Sequence, residues 1–471
     1  MNYNKTSKES ILNYSKKLEK NCISNLIDTS FLNIKLDKGG FGKYVEECFF
    51  NYKPNSDKNP DFPDASWEND DRKGLELKTT EVYKLKNGKT QVKWKLNLNS
   101  INYWELVKEE FESSYFLKKN YSTLILFYYN NSKEFSSRVF DLTAIWEIPK
   151  KDLIIIKRDW EKIKDIVEND DANNLSEKLT SYLGAGTAGD SGEMTTQPNS
   201  NEKARRRKFT FKSNYIKSIY KILKNPDSFS SIANDKEINE KSIVQLITER
   251  LEKYINKSVF DLAKEYEEPK NKFDRVVKKI IGASDSKKEI EELEKAGITI
   301  KTVRINRDNK IEQHMSFPAF EYKDIYDEEW DYSETKEIFQ NTLLIVFFKE
   351  NNNGEYKIDK LKFWNLSTDD IKELEIVYNK LRDCVINGNI VEKVDKKVHN
   401  KFPKSAQSYL SHVRNHSRYG YLNPKGKTPA NISQLPMPDK KTGWTSFSKF
   451  SFWLNNSYIL DIYKNNGQIS A

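Results

Sequence analysis

The sequence predicts a mixed α/β fold made of two similar domains, each with a central mixed sheet flanked by helices. Three observations carry that prediction. Stretches with two-residue alternation interleave with stretches of helical spacing. A run of echoes in the second half follows the order of the first. A polar stretch at 226–245, after the Gly-, Ala-, Ser- and Thr-rich segment 183–200, offers a break between them.

The elements follow in order. The apolar spacing over 5–28 predicts a helix. Lys38-Gly39-Gly40-Phe41-Gly42 reads as a turn, and Lys43 to Phe50 continues with helical spacing. Asn51 to Lys73, rich in Asn, Asp and Pro, reads as a loop. Gly74 to Leu85 and Gln91 to Asn99 read as a hairpin joined by Lys86-Asn87-Gly88-Lys89, with Val92, Trp94, Leu96 and Leu98 on one face. A helix is expected over 103–118, an apolar strand over 122–130, a short strand over 138–142 and an amphipathic helix over 150–168. The segment 183–200 is expected to be a flexible loop.

In the second half, Gly297-Ile298-Thr299-Ile300-Lys301-Thr302 echoes Gly74-Leu75-Glu76-Leu77-Lys78-Thr79. Leu343 to Phe348 echoes Leu124 to Tyr129. Phe363-Trp364-Asn365-Leu366 and its helix echo Phe140-Asp141-Leu142, and Lys449 to Phe452 echoes Lys208 to Phe211. These echoes predict a duplication, with 1–225 and 246–471 as the two domains and 226–245 as linker.

Composition removes several classes of function. The 471 residues contain no apolar run near the ~20 residues of a membrane helix, which excludes an integral membrane protein. The opening MNYNKTSKES has no hydrophobic segment, so no secretory signal is expected. Cys22, Cys48 and Cys384 are far apart and form no CxxC pair, which excludes a disulfide scaffold or cysteine zinc site and fits a reducing cytoplasm. All four histidines lie beyond residue 310, so a His-metal or Ser-His-Asp site in the first 313 residues is excluded. Chemistry there must rest on carboxylates and lysines.

The net charge is +9, and Val391 to Ala471 holds thirteen basic against four acidic residues. A second basic cluster runs through Lys203, Arg205, Arg206, Arg207 and Lys208, with Lys212 beyond it. Such stretches suit phosphate neutralisation and, on charge alone, equally suit a solvated lysine-rich surface.

The candidate chemistry is Pro60-Asp61 followed by Glu76-Leu77-Lys78. Residues i and i+2 of a strand share a face, so Glu76 and Lys78 point the same way. Two carboxylates can hold a hard divalent cation, and the lysine can orient a water and stabilise charge developing on phosphorus. Spacing alone does not separate such a site from ordinary exposed strand residues, since Glu268-Pro269-Lys270 and Glu334-Thr335-Lys336 repeat it. Glu46, one helical turn past the glycines, and Lys119, ahead of the apolar strand, could reach the same place. GxxxxGK[ST] is absent from the glycine-rich segment, which excludes a P-loop.

KGGFGKYVEE (38–47), NPDFP (59–63), GLELKTT (74–80) and FLKKN (116–120) together resemble the mismatch-repair nicking endonuclease MutH. They resemble still more the GATC-cutting type II restriction endonucleases related to it. The likeness continues through Tyr182-Leu183, Gln197-Pro198, Arg207-Lys208-Phe209, His412-Val413-Arg414 and Phe452 to Ile459. The resemblance implies a restriction-endonuclease-like PD-(D/E)xK core in the first half. In it Asp61 and Glu76 coordinate Mg²⁺, Lys78 positions the attacking water, and Glu46 and Lys119 complete the site. It implies a type II restriction endonuclease cutting double-stranded DNA at GATC, leaving 5′-phosphate and 3′-hydroxyl ends. The enzyme would be cytoplasmic, monomeric in solution or dimeric on DNA, and accompanied by a cognate methyltransferase with which it forms no stable complex. A MutH-like nickase and a non-catalytic DNA-binding protein are the alternatives.

The second half reads as a copy without catalysis. Thr299 takes the place of Glu76, Lys278 that of Glu46, and no Pro-Asp precedes Thr299. Arg205, Arg206, Arg207, Lys208, Lys212, His412, Arg414 and Arg418 are the candidate DNA contacts. Arg414 and Arg418 suit guanine edges, phosphates or plain surface charge. His412 and His416, without further ligands nearby, read as DNA-contacting or structural. The family's cysteine and lysine around Gly-Thr-Ala are here Gly186 and Ala188, and Thr210 stands where MutH has a tyrosine. Methylation sensitivity is therefore left open.

Overall fold

The N-terminal helix is shorter than its apolar spacing predicts. Ser7 caps α1 (Lys8–Ser15) by accepting from the Ser10 amide, and a 3₁₀ turn (Lys16–Leu18) follows. Lys20 then adopts φ 61°, a left-handed conformation no helix continues through, and only a second short turn (Ile23–Asn25) comes after it. The computed structural model describes residues 3–27, 40–52, 58–84, 90–176, 179–188, 193–269, 271–311, 313–394, 398–415 and 432–465. Arg418, His416, the Lys38-Gly39 turn and the 86–89 connection lie outside the described residues. Two units emerge: unit 1 is Met1–Ile243 with Lys288–Gly297, and unit 2 is Val244–Lys287 with Ile298–Ala471.

In unit 1, α2 spans Gly40–Cys48, starting three residues earlier than its apolar spacing suggests. The strands β1 (Glu76–Lys84) and β2 (Thr90–Val92) pair antiparallel as expected. The continuation does not. Lys93 to Lys95 leave the sheet, and β3 (Leu96–Ser100) joins a different one. The expected helix over 103–118 is two short ones, α3 (Tyr103–Leu106) and α4 (Tyr115–Asn120), capped by Asn102 and Ser114. Next come β4 (Ser122–Tyr129), β5 (Phe140–Glu147) and α5 (Lys150–Glu168).

The sequence-predicted loop at 183–200 is instead largely strand. It holds β6 (Leu183–Thr187) and β7 (Met194–Thr196), and β8 (Lys203–Arg205), β9 (Arg207–Phe211) and α6 (Ser213–Lys224) follow. Gly184, Ala185 and Gly186 are buried there, so small side chains mark close packing and not flexibility.

The main sheet runs β2-β1-β4-β5, with β1 parallel to β4 and β5 antiparallel to it. A smaller sheet runs β3-β9-β6, all antiparallel. Leu75, Leu77, Leu124 and Leu126 turn one face of the main sheet towards Ile11, Phe41, Val45, Phe50 and Phe62. Burial of these side chains, at about 25 cal/mol per Å² of apolar surface, is what holds α1 and α2 on that face.

Unit 2 has its own three-stranded sheet. Ile298–Ile305 lies parallel to Thr342–Glu350, which pairs antiparallel with Tyr356–Trp364, and the helix Thr368–Ile386 comes next. A smaller antiparallel sheet places Phe450–Leu454 between Met315–Ala319 and Ser411–Asn415. Phe317, Phe339, Tyr378 and Phe452 are among its core. Among the described residues no helix is long and apolar enough to cross a membrane.

Candidate active site

The site forms where β1 begins. Phe62 and Leu75 exchange backbone hydrogen bonds in both directions, each 3.0 Å, which clamps the Pro60-Asp61 segment beside the strand. Asp61 Oδ2 then accepts from the Leu77 amide at 2.8 Å. Gly74 makes this approach possible. Its φ of +107° suits glycine, and a Cβ there would lie 3.0 Å from Pro60 Cγ.

Leu75 and Leu77 go into the core, so Glu76 and Lys78 share the opposite face. Glu76 is buried, at 2% exposure. Lys78 donates to Glu76 Oε1 at 2.5 Å, and the Lys119 amine, at the end of α4, lies 3.7 Å from the same oxygen. The second oxygen, Oε2, is buried with no hydrogen-bond partner. A buried carboxylate oxygen without a donor is costly in free energy, unless a cation takes it up.

Electrostatics tie Glu46 to the same cluster. Burial pushes its carboxyl up to about 7, with Asp61 and Glu76 adding and Lys78 opposing. Glu76 is raised, first by burial and then by Asp61, against the pull of Lys78 and Lys119. Burial favours the neutral Lys78 amine, but Glu76, Asp61 and Glu46 outweigh it and hold the ammonium above its ordinary range. α2 can carry Glu46 to this position because Gly42 lies flat on β1, its Cβ position 3.6 Å from Thr79 Oγ1. Glu46, Asp61, Glu76, Lys78 and Lys119 thus lie within electrostatic or hydrogen-bond reach of one another.

The residues fit a hard divalent cation. Asp61 and Glu76 supply oxygen donors, and Glu76 Oε2 is the unpartnered one. Among the described residues no group of three or more His, Cys, Asp or Glu side chains is gathered as a ligand set.

From Lys119 a cleft of about 880 Å³ runs past Asn99, Asn102, Trp104 and Met194 to Arg206. The basic cluster is dispersed around it. Arg206 pairs with Glu193 at 2.7 Å, Arg205 is exposed, and Arg207 Nη atoms reach the Ala185 and Asn173 carbonyls. Burial, helped by Lys95, pushes Lys208 down, and Lys212 donates to the Thr180 carbonyl at 2.7 Å.

In unit 2 the strand Ile298–Ile305 carries Thr299 and Lys301. Lys301 donates to the Ser316 carbonyl at 2.6 Å, and burial drops its amine to about 8. It lines a cleft of about 930 Å³ with Arg304, His314 and Arg414. His412 is buried beneath, its Nδ1 2.7 Å from Asn455 Oδ1, so its place is structural. The role of Gly74 beyond starting a strand, and the exposure of Trp104 and Met194, had no signal in the sequence, since Trp104 sits among the apolar residues Ile101, Tyr103, Leu106 and Val107.

The MutH family model, described as the DNA mismatch repair enzyme MutH, matches residues 50–159. A type II restriction enzyme, Sau3AI of Staphylococcus aureus, is 33% identical over 463 residues, covering 91% of this chain and 92% of that protein. The chain belongs to the family of MutH-related type II restriction endonucleases.

Proposed function

We propose that this chain is a type II restriction endonuclease that hydrolyses double-stranded DNA at GATC with Mg²⁺, leaving 5′-phosphate and 3′-hydroxyl ends. The observation that carries it is Glu76, with one oxygen shared by Lys78 and Lys119, the other buried without a hydrogen-bond partner, and Asp61 close enough to raise its carboxyl. Asp61 and Glu76 would hold the ion through carboxylate oxygens, the donor type Mg²⁺ prefers. When bound, it lowers the pKa of water and offsets phosphoryl charge. Lys78, kept protonated, orients the attacking water from the Glu76 face. Lys119 adds a second fixed cation against the charge that grows on the phosphoryl oxygens. Glu46, poised near neutrality, is placed to hold a proton at the site's edge.

Unit 2, in this reading, is a duplicated copy that binds DNA and does not cut. Both units have a parallel pair followed by an antiparallel strand and a 19-residue helix. Thr299 for Glu76 removes the ion's anchor, while Lys301, Arg304 and Arg414 leave a cationic cleft. Two similar units in one chain would suit the two-fold symmetry of a palindrome. The chain would be a monomer in solution or a dimer on DNA, in the cytoplasm, with a cognate methyltransferase in the same system but in no stable complex with it. The identity spanning 91% of the chain favours restriction over MutH-like nicking.

The test is a plasmid digest without partner proteins, followed by sequencing of the ends with and without adenine methylation. Double-strand breaks at GATC are expected with Mg²⁺ and not with EDTA. Asp61→Ala and Glu76→Ala should abolish cutting and spare binding, and Lys78→Ala should slow it by about 10²- to 10⁴-fold. Only slow nicking would favour the repair reading, and unchanged activity in the Glu76 variant would remove the nuclease assignment.

A further inference from the structure

Trp104 and Met194 are each 46% exposed, and they line the same cleft that begins at Lys119. Among the described residues no other tryptophan is as exposed. The indole is not loose. Its Nε1 donates to Thr196 Oγ1 at 3.1 Å, and its own amide donates to Asn102 Oδ1 at 3.1 Å. The polar edge of the ring is therefore used up within the protein, and what faces the cleft is apolar. A ring already fixed loses little entropy when something stacks on it.

The surroundings point to what would stack. Lys58, Lys119 and Arg206 line the cleft with the amides of Asn99 and Asn102. Lys58 is paired with Glu105 and Arg206 with Glu193, but Lys58 is 67% and Arg206 52% exposed. Pairs so exposed are weak and can be exchanged for phosphates. An apolar ring in a cleft lined by Lys58, Lys119 and Arg206 as well as Glu105 and Glu109, with Lys119 shared with the candidate active site, suits a nucleic acid base better than a protein side chain.

Resting on the nuclease reading, we propose that Trp104, backed by Met194, enters the base stack of bound duplex DNA next to the scissile phosphate and contributes to sequence selection. Apolar side chains inserted at a base step unstack it, and steps differ in how readily they open. Trp104 is thus a specificity-determining contact, separate from the acids and lysines that perform hydrolysis.

The test uses the full chain in EDTA with duplexes carrying 2-aminopurine in turn at each position across GATC and two base pairs to either side. With the wild type, fluorescence should rise at the step the ring enters. Trp104→Ala should lose that rise and weaken binding to GATC duplex by about 5- to 100-fold, with random-sequence binding within about twofold. Trp104→Phe should keep part of both, and Met194→Ala, which leaves the Thr196 contact intact, should reduce the rise. Cleavage of plasmid by the wild type is measured alongside. If it cuts at GATC and no position brightens, the wedge is overturned while the nuclease reading stands. If a position brightens and Trp104→Ala abolishes it without any wild-type cleavage, the wedge stands and the nuclease reading falls. A rise that survives Trp104→Ala, or a wild type that binds no duplex, overturns the proposal.

Discussion

Glu76 shows how one residue's surroundings define a site. Its Oε1 carries two ammonium neighbours and its Oε2 none, so the side chain is satisfied on one side only. Its geometry depends on a residue with no side chain. Gly74, at φ +107°, brings the strand against Pro60 and so sets where Asp61 stands relative to Glu76. Gly74→Ala forces an L residue into that backbone region and pushes its Cβ to 3.0 Å from Pro60 Cγ. The expected cost is about 1–2 kcal/mol of stability. The larger effect should be catalytic, because a shift on the order of 1 Å in a catalytic group costs about 10²-fold. Steady-state cleavage and metal-free DNA binding, measured side by side, check this. Cleavage should fall about 10- to 100-fold with binding unchanged, and an equal loss of both would mean that Gly74 serves folding alone.

At the scale of elements, what could be read from the sequence was whatever local pattern decides. The helix α5 runs over Lys150–Glu168 as its spacing indicates, since seven positions on one stripe are buried and Pro149 precedes it. Asp61, Glu76 and Lys78 were legible because Asp61 and the start of β1 meet across a short stretch of chain, the Leu77 amide bonding a carboxylate sixteen residues back. Elements decided by distant partners were not. The alternation Val92-Trp94-Leu96-Leu98 looks like one strand, but Leu96 pairs with Phe211, more than a hundred residues away, and Trp94 is left 37% exposed at the crossing. Likewise β6 reads as a loop because Gly and Ala have low strand propensity, and only its pairing with β9 makes it a strand. The strand Ser411–Asn415 hides a histidine in the same way. Its burial, aided by His314 and Arg414 and opposed by the Asn455 bond, drops His412 to about 4. The Asn455 amide nitrogen donates to the Ser408 and Tyr409 carbonyls, so its oxygen accepts and the His412 proton sits on Nδ1. A base with a depressed folded pKa stabilises the fold fully above its unfolded value. That contribution is lost as pH falls from about 6.5 towards about 4. The expected loss is roughly 1–2 kcal/mol once solvent screening of the ring is allowed for. Urea titrations of wild type and His412→Gln at pH 7.5, 6 and 4.5 isolate it: the variant should be less stable at pH 7.5 and should lose less on acidification.

At the scale of the whole molecule, the chain crosses between its units, and the crossing segment is part of the core of the first. Unit 1 ends at Ile243 but is completed by Lys288–Gly297. From that segment the Lys295 amine enters a site where it is 1% exposed. There it bonds both oxygens of Asp152, at 2.9 and 2.7 Å, and Glu291 at 2.6 Å. Tyr215 donates to Asp152 as well, at 3.0 Å, so the carboxylate is satisfied only with the whole arrangement in place. Glu292, from the same segment, accepts from Lys151, Ser231 and the Ile232 amide. Removing one member of such a buried pair leaves an uncompensated charge and costs about 3–5 kcal/mol, whereas neutralising both can be nearly free. Lys295→Met should therefore destabilise unit 1 by about that amount, and adding Asp152→Asn, which still accepts from Tyr215, should recover most of it. The same physics bears on dissection of the nuclease. A fragment ending at residue 243 carries Asp152 without Lys295, and should be poorly soluble with a lowered thermal midpoint. Asp152→Asn in that fragment should raise the midpoint, although in the intact chain the same substitution lowers it. That reversal of sign, read by thermal denaturation of four proteins, tests whether residues 288–297 belong energetically to unit 1. A substitution that shifts both backgrounds in the same direction would show that they do not.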